Sequence, residues 1–187
     1  MPRVPSKRWV PSPAKVRSRP RPKPHYEPPI YRFRVRLWAG PDTGGETSDQ
    51  VVREIELAAN QPFAALGHAI PAAFDFDEDH LWAFFLSGKA WDSKTEWGLD
   101  ADYAGRADGV MVRDVPFPGA AGKKEFLYIF DFGDDWRFRV KLLRMQPAVE
   151  AGVVYPQLVS SVGVAPPQYR NWDEEDAWDN EDDSEDF

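Results

Sequence analysis

Cysteine is absent from the 187 residues, which excludes disulfides, thiolate zinc sites, iron–sulfur clusters and cysteine nucleophiles. Histidine is scarce. His25, His68 and His80 are the whole supply, and none lies in a hydrolytic-triad or tyrosine-recombinase motif; His68 reads as a helix-surface or packing residue. No glycine-rich loop followed by Lys and Ser or Thr is present to cradle a phosphate. Ser48, Ser87, Ser93, Ser160 and Ser161 fall in expected loops away from the arginine-rich strand, so no serine-recombinase centre assembles. The sequence also lacks an apolar window near the ~18 residues that a membrane helix needs and an apolar run close to its first residue. From those two absences we expect a cytoplasmic protein.

Charge of one sign is missing at each end. Residues 1–24 hold eight bases and no acid, and residues 171–187 hold ten acids and no base. Of the chain's 23 bases and 31 acids, 15 and 21 remain for the stretch between, which carries −6 of the net −8. The basic stretch also contains seven prolines, whose fixed φ and missing N–H oppose helix and central strand. We therefore expect three parts: a basic, proline-rich disordered arm over 1–25, one folded domain over 26–170, and an acidic disordered tail over 171–187. Arg17, Arg19, Arg21 and Lys23 of the arm are candidates for nucleic-acid contact, which salt would weaken through counterion release. Solvation, or folding back onto the acidic tail, is the plainer use. Trp172, Trp178 and Phe187 among the tail carboxylates suggest an interaction segment for a protein partner, with plain solvation as the alternative.

What is present between the tails is periodic. Tyr31, Phe33, Val35 and Leu37 alternate with Arg32, Arg34 and Arg36, a period that a half-buried strand satisfies. After the Gly40–Gly45 loop, Val51, Arg53, Ile55 and Leu57 alternate with Val52, Glu54 and Glu56. A hairpin would set the arginines opposite the glutamates; a phosphate-binding stripe is the other use. Asn60 as N-cap, Pro62 in the first turn, and Phe63, Leu66, Ala69, Ile70, Ala73 and Phe74 at helical spacing predict a helix, with a kink or early break at Pro71. His80–Leu86 reads as a buried strand, and 87–122 as a loop-rich stretch holding a short strand over Val110–Val115. Phe126, Tyr128, Phe130 and Phe132, then Gly133-Asp134-Asp135, then Trp136, Phe138, Val140 and Leu142 predict two aromatic strands joined by a glycine turn. Pro147 ends the second, and residues 155–167 are expected to close the domain irregularly.

Three stretches carry a resemblance. They are the acidic run from Phe74 through Asp77, Asp79 and His80 to Phe84, the run Asp131-Phe132-Gly133-Asp134-Asp135-Trp136, and Tyr155-Pro156 with Gly163 and Pro166-Pro167. Together they resemble the plasmid Ri ORF-three-like domain family, over about residues 28–169. The resemblance implies an α+β domain with a curved, mostly antiparallel sheet and packed helices. It also implies a mobile-element setting, with the label of an insertion-element passenger of the TnpR-like group, and supplies no mechanism. This sequence departs from the family pattern at Pro71, in the absence of a cysteine after Tyr155-Pro156, and at Gln168, where an acidic residue is common.

Two constellations could carry chemistry. Asp131, Gly133, Asp134, Asp135 and Trp136, with Trp82, form a candidate binding site. Asp77, Asp79 and His80 in one turn and Asp131, Asp134 and Asp135 in the other form a candidate metal site, in which oxygen-rich ligands suit Mg²⁺ or Mn²⁺ and paired acids could support phosphodiester cleavage. The structural alternative has Gly133 at positive φ, Asp134 or Asp135 accepting turn N–H groups, and Trp136 packed on the sheet. Tyr31, Trp38, Trp82, Tyr128 and Trp136, helped by Arg34 or Arg137, could stack bases, although strand aromatics of period two belong first to a core. The balance favours a non-enzymatic binding module without a cofactor, contacting protein or nucleic acid. The alternative is a divalent-metal phosphoesterase or nuclease.

Overall fold

β1 (Ile30–Ala39) and β2 (Val52–Ala58) form the hairpin that the alternation predicts, with Phe33 opposite Ile55 and Arg34 opposite Glu54. Arg32 reaches Glu56 at 2.7 Å and Glu54 at 3.4 Å, and Arg34 meets Glu54 at 3.0 Å. The arginine stripe is thus tied largely into cross-strand ion pairs. The computed structural model describes residues 28–41, 50–99, 105–118, 124–147 and 152–169. The basic arm with Arg17, Arg19, Arg21 and Lys23, and the acidic tail, lie outside the described residues.

Six further strands follow: β3 (Trp82–Phe85), β4 (Glu96–Gly98), β5 (Gly105–Arg106), β6 (Phe126–Phe130), β7 (Trp136–Gln146) and β8 (Gln157–Val162). All eight join one sheet in the order β5-β4-β3-β6-β7-β1-β2-β8. Every neighbouring pair is antiparallel except β4–β5. Among the described residues there is one α-helix, α1 (Ala64–Ala73). The expected α+β domain with packed helices is therefore overturned; the fold is essentially all-β. The glycine- and proline-rich 87–122 stretch supplies two short strands and a 3-10 turn at Val112–Asp114 in place of further helix. The closing segment, expected to be irregular, supplies β8. The short strand expected over Val110–Val115 reduces to a single bridge between Pro62 and Met111 beside that 3-10 turn.

The helix begins later than an Asn60 cap would place it. Phe63 is its N-cap and offers no side-chain acceptor; the N–H groups of Phe63 and Ala64 donate to the carbonyls of Val110 and Ala107, each at 2.8 Å. Pro71 is buried in the last turn, and the helix stops two residues after it. A proline has no N–H for the carbonyl four residues earlier. That carbonyl, of Gly67, accepts instead from the buried Tyr128 hydroxyl at 2.8 Å. Gly67 itself is fixed by contact, because a Cβ there would lie 2.4 Å from the Trp82 ring.

α1 and the 105–118 segment cover one face of the sheet, over Phe33, Leu57, Phe84, Tyr128 and Phe138, all fully buried. A smaller cluster of Ala83, Phe85, Leu127 and Ile129 lies on the reverse, with Trp38, Ala90 and Phe132 against it. β3 and β6 are buried on both faces, which is why they read as unbroken apolar runs. Arg53 faces the main core. Its guanidinium donates to the carbonyl of Ala73 at the helix end (2.8 Å) and to those of Val162 (2.9 Å) and Gly163 (3.3 Å), tying β8 to β2 and α1.

Candidate functional site

The start of β3 pairs with the end of β6, Trp82 opposite Phe130, so the residues before Trp82 and after Phe130 must meet. The Asp131 N–H donates to the Leu81 carbonyl at 2.9 Å. His80 Nε2 lies 3.4 Å from Asp79 Oδ1 and 3.4 Å from Asp131 Oδ2. The closing segment then folds over these acids. Tyr169 Oη is 3.1 and 3.2 Å from the two Asp79 oxygens and 3.3 Å from His80 Nε2. Desolvation, then the hydrogen bond to Asp79, raises the Tyr169 phenol above its ordinary range. Gln168 is buried, accepts the Asp77 N–H through Oε1 at 2.6 Å and donates from Nε2 to Tyr169 Oη at 3.0 Å. An amide can do both at once, whereas a carboxylate here could only accept and would add charge beside Asp77 and Asp79.

Of the six residues expected to converge, Asp79, His80 and Asp131 do. Asp135 instead grips Arg137 with both oxygens, which raises that guanidinium's pKa. Asp134 supplies its backbone N–H to Asp131 Oδ1 at 3.2 Å, and the hydrogen bonds of Asp77 to Gln168 run through its backbone. No group of three or more His, Asp or Glu side chains able to hold a metal ion occurs among the described residues. In the β6–β7 turn the positive φ values belong to Asp131 (54°) and Asp135 (55°), not to Gly133. Aspartate tolerates this region because its short side chain bonds locally. Here it is Asp131, rather than Asp134 or Asp135, that accepts the turn N–H groups, from Gly133 and Asp134. Trp136 and Trp82 are 2% and 5% exposed, so both serve the core and neither offers a ring to a ligand.

Glu78, between the acidic cluster and α1, opens onto something else. A cleft of about 490 Å³ runs between α1, β2 and β8, lined by Ala65, Ala69, Ala72, Ile55, Pro156 and Leu158. Its walls are mainly apolar, with one polar pair: His68 Nδ1 and Glu78 Oε2 are 3.1 Å apart, and the His68 ring stands edge-on to Trp82. The alanine face of the helix makes the hollow, since methyl groups leave unfilled the space that longer side chains would occupy.

The plasmid pRiA4b ORF-3-like protein family matches residues 30–171, a span that contains the whole described sheet, the cleft and the acidic turns. The chain belongs to this family. Uncharacterized protein y4hQ of Sinorhizobium fredii is 29% identical to it over 119 residues, 63% of this chain and 58% of that protein, so the chain spans under two thirds of that relative's length. A crystal structure of a protein of unknown function from Methanosarcina mazei Go1 is similar at 25% identity with a TM-score of 0.61, covering 86% of this chain and 85% of that one. Neither relative carries a stated activity.

In this pRiA4b ORF-3-like domain, sequence reasoning identified the acidic turns but missed Gln168 and Tyr169 as their partners. It noted Gln168 only as a departure from the family pattern; the signal was an amide beside paired prolines, aimed at an acidic turn some 90 residues away. The cleft was missed because it needs β8.

Proposed function

We propose that this domain is a non-enzymatic binding module that holds a segment of another protein in the cleft between α1 and β8. The cleft carries the proposal: a sizeable, mostly apolar hollow with a single His–Glu pair at its side is the form a peptide-binding groove takes. β8 strengthens it. The strand is the sheet's edge, its sequence Gln157–Val162 contains no charge and no proline, and Leu158 and Val162 are about half exposed. Such an edge accepts an added strand while a side chain of that strand enters the hollow. The same reading puts the protein in the cytoplasm, and the family's plasmid-derived name supports a mobile-element setting.

The test uses the full chain as bait for a random displayed-peptide library. Selected peptides should lose about tenfold or more in affinity for Ala69→Trp, which fills the cleft, and should shift the backbone amides of Ala72 and Leu158. Selected peptides that bind Ala69→Trp unchanged would overturn the proposal. The rival reading, a divalent-metal phosphoesterase or nuclease, is weakened by the geometry: Asp79, His80 and Asp131 draw together, but both Asp79 oxygens accept from Tyr169, and no group of three or more His, Asp or Glu side chains among the described residues is able to hold a metal ion. Calorimetric titration with Mg²⁺ or Mn²⁺, repeated on the exposed Asp79→Asn, decides it: saturable heat abolished in the variant supports this reading, and no heat removes it.

A further inference from the structure

The face of the sheet opposite α1 is cationic where β7 and β1 run side by side. Arg34 stands opposite Lys141, Arg36 opposite Arg139 and Arg32 opposite Arg144. Glu54, Glu56 and Glu125 answer the β1 arginines. Lys141 and Arg144 pair with no acid among the described residues. Aromatic rings border the stripe: the Arg139 guanidinium lies 3.8 Å over Trp38, and Trp91, 52% exposed, stands edge-on to Phe132.

We infer that this face is a docking surface for an acidic peptide with aromatic side chains, and that its occupant is residues 171–187 of the same chain. Charge is the first ground, since that segment has ten acids, no base, and Trp172, Trp178 and Phe187. Position is the second. The described chain ends at Tyr169, tied to Asp79 and His80 at the end of the sheet where β6 turns into β7. From that turn β7 carries Arg137, Arg139, Lys141 and Arg144 away along 11 residues, about 35 Å of strand. The residues beyond Tyr169 reach up to about 60 Å when extended, ample for the whole stripe. Asp79, Asp131 and Asp134 at its root repel the acids and direct the segment away from the turn. The inference does not depend on the cleft or its ligand.

Zero-length carbodiimide cross-linking of the full chain tests it. In the monomer at low salt, Lys141 should be joined to carboxylates between Asp173 and Asp186. The link should vanish near 1 M salt, where the screening length is about 3 Å. A second measurement uses the full chain with the tail Asp and Glu residues changed to Asn and Gln: the amide resonances of β7 and of residues 32–38 should move relative to the parent chain. The inference is overturned if tail links go only to Lys7, Lys15 or Lys23 of the arm, only between two chains, or to other lysines without Lys141, or if those resonances stay in place. It is likewise overturned if a single-stranded oligonucleotide binds this face, loses affinity on Lys141→Glu, and binds the parent and the tail-neutralised chain equally. That outcome would make nucleic acid the occupant.

Discussion

Tyr128, Pro71 and Gly67 form one unit, in which a side-chain hydroxyl replaces the backbone donor that a proline removes. Tyr128→Phe should leave the buried Gly67 carbonyl without a partner and cost about 1–3 kcal/mol. In a Pro71→Ala background, where an N–H returns, the same substitution should cost less; a double-mutant cycle by urea unfolding measures the coupling. Burial, and secondarily Glu78, raises the Tyr128 phenol well above its ordinary range. The folded state therefore keeps a proton that the unfolded chain releases near pH 10. The stabilisation is whole below that pH and falls away as pH rises beyond it, by up to about 1.4 kcal/mol per pH unit. Tyr128→Phe should make the alkaline decline in stability shallower. Arg53 is a second unit of this kind. Burial lowers its pKa, offset in part by Asp75, and its N–H groups serve four carbonyls, those of Val52, Ala73, Val162 and Gly163. Arg53→Gln should cost about 3 kcal/mol, and hydrogen exchange should show β8 losing protection before the rest of the sheet.

At the scale of elements, helix propensity and packing disagree at Gly67. Replacing glycine by alanine inside a helix ordinarily gains about 1 kcal/mol. Here the added Cβ meets Trp82 at 2.4 Å, so Gly67→Ala should instead destabilise by about 1–3 kcal/mol, read as a lower urea midpoint. β1, β2, β6 and β7 were legible in the sequence because each buries one face or both, and burial writes its period into the chain. β8 was not legible. An edge strand with half-exposed residues on both faces has no alternation to show, and Gln157–Val162 has none. The helix start was misread because Phe63 and Ala64 draw their acceptors from residues about 45 positions later, which no local cap signal records. The same reason hid Gln168 and Tyr169. Both acidic turns could be read locally, whereas the segment that closes over them is joined to them only by the fold. The fold class was misjudged at 87–122, where two strands of three residues or fewer left no periodic trace.

On the scale of the molecule, the sheet divides the surface into two unlike sides. The cleft belongs to the side under α1 and the cationic stripe to the other, with the fully buried rings of Phe33, Phe126 and Phe138 between them. Occupation of one should leave the other unchanged. Ala69→Trp, which blocks the cleft, should keep the Lys141 cross-link to the tail at its parent yield, measured by quantitative mass spectrometry.

β1 sits in the interior of the sheet, although it is the earliest of the eight described strands along the chain. β2 can join it at once, but its other neighbour arrives about a hundred residues later, where Leu37 meets Phe138. A ribosome adding roughly 5–20 residues per second takes about 5–20 s to cover that distance. Throughout that interval Tyr31, Phe33, Val35 and Leu37 present a greasy, hydrogen-bond-hungry margin to solvent. Nascent chains of this protein should therefore depend on a chaperone holding them until β7 has emerged.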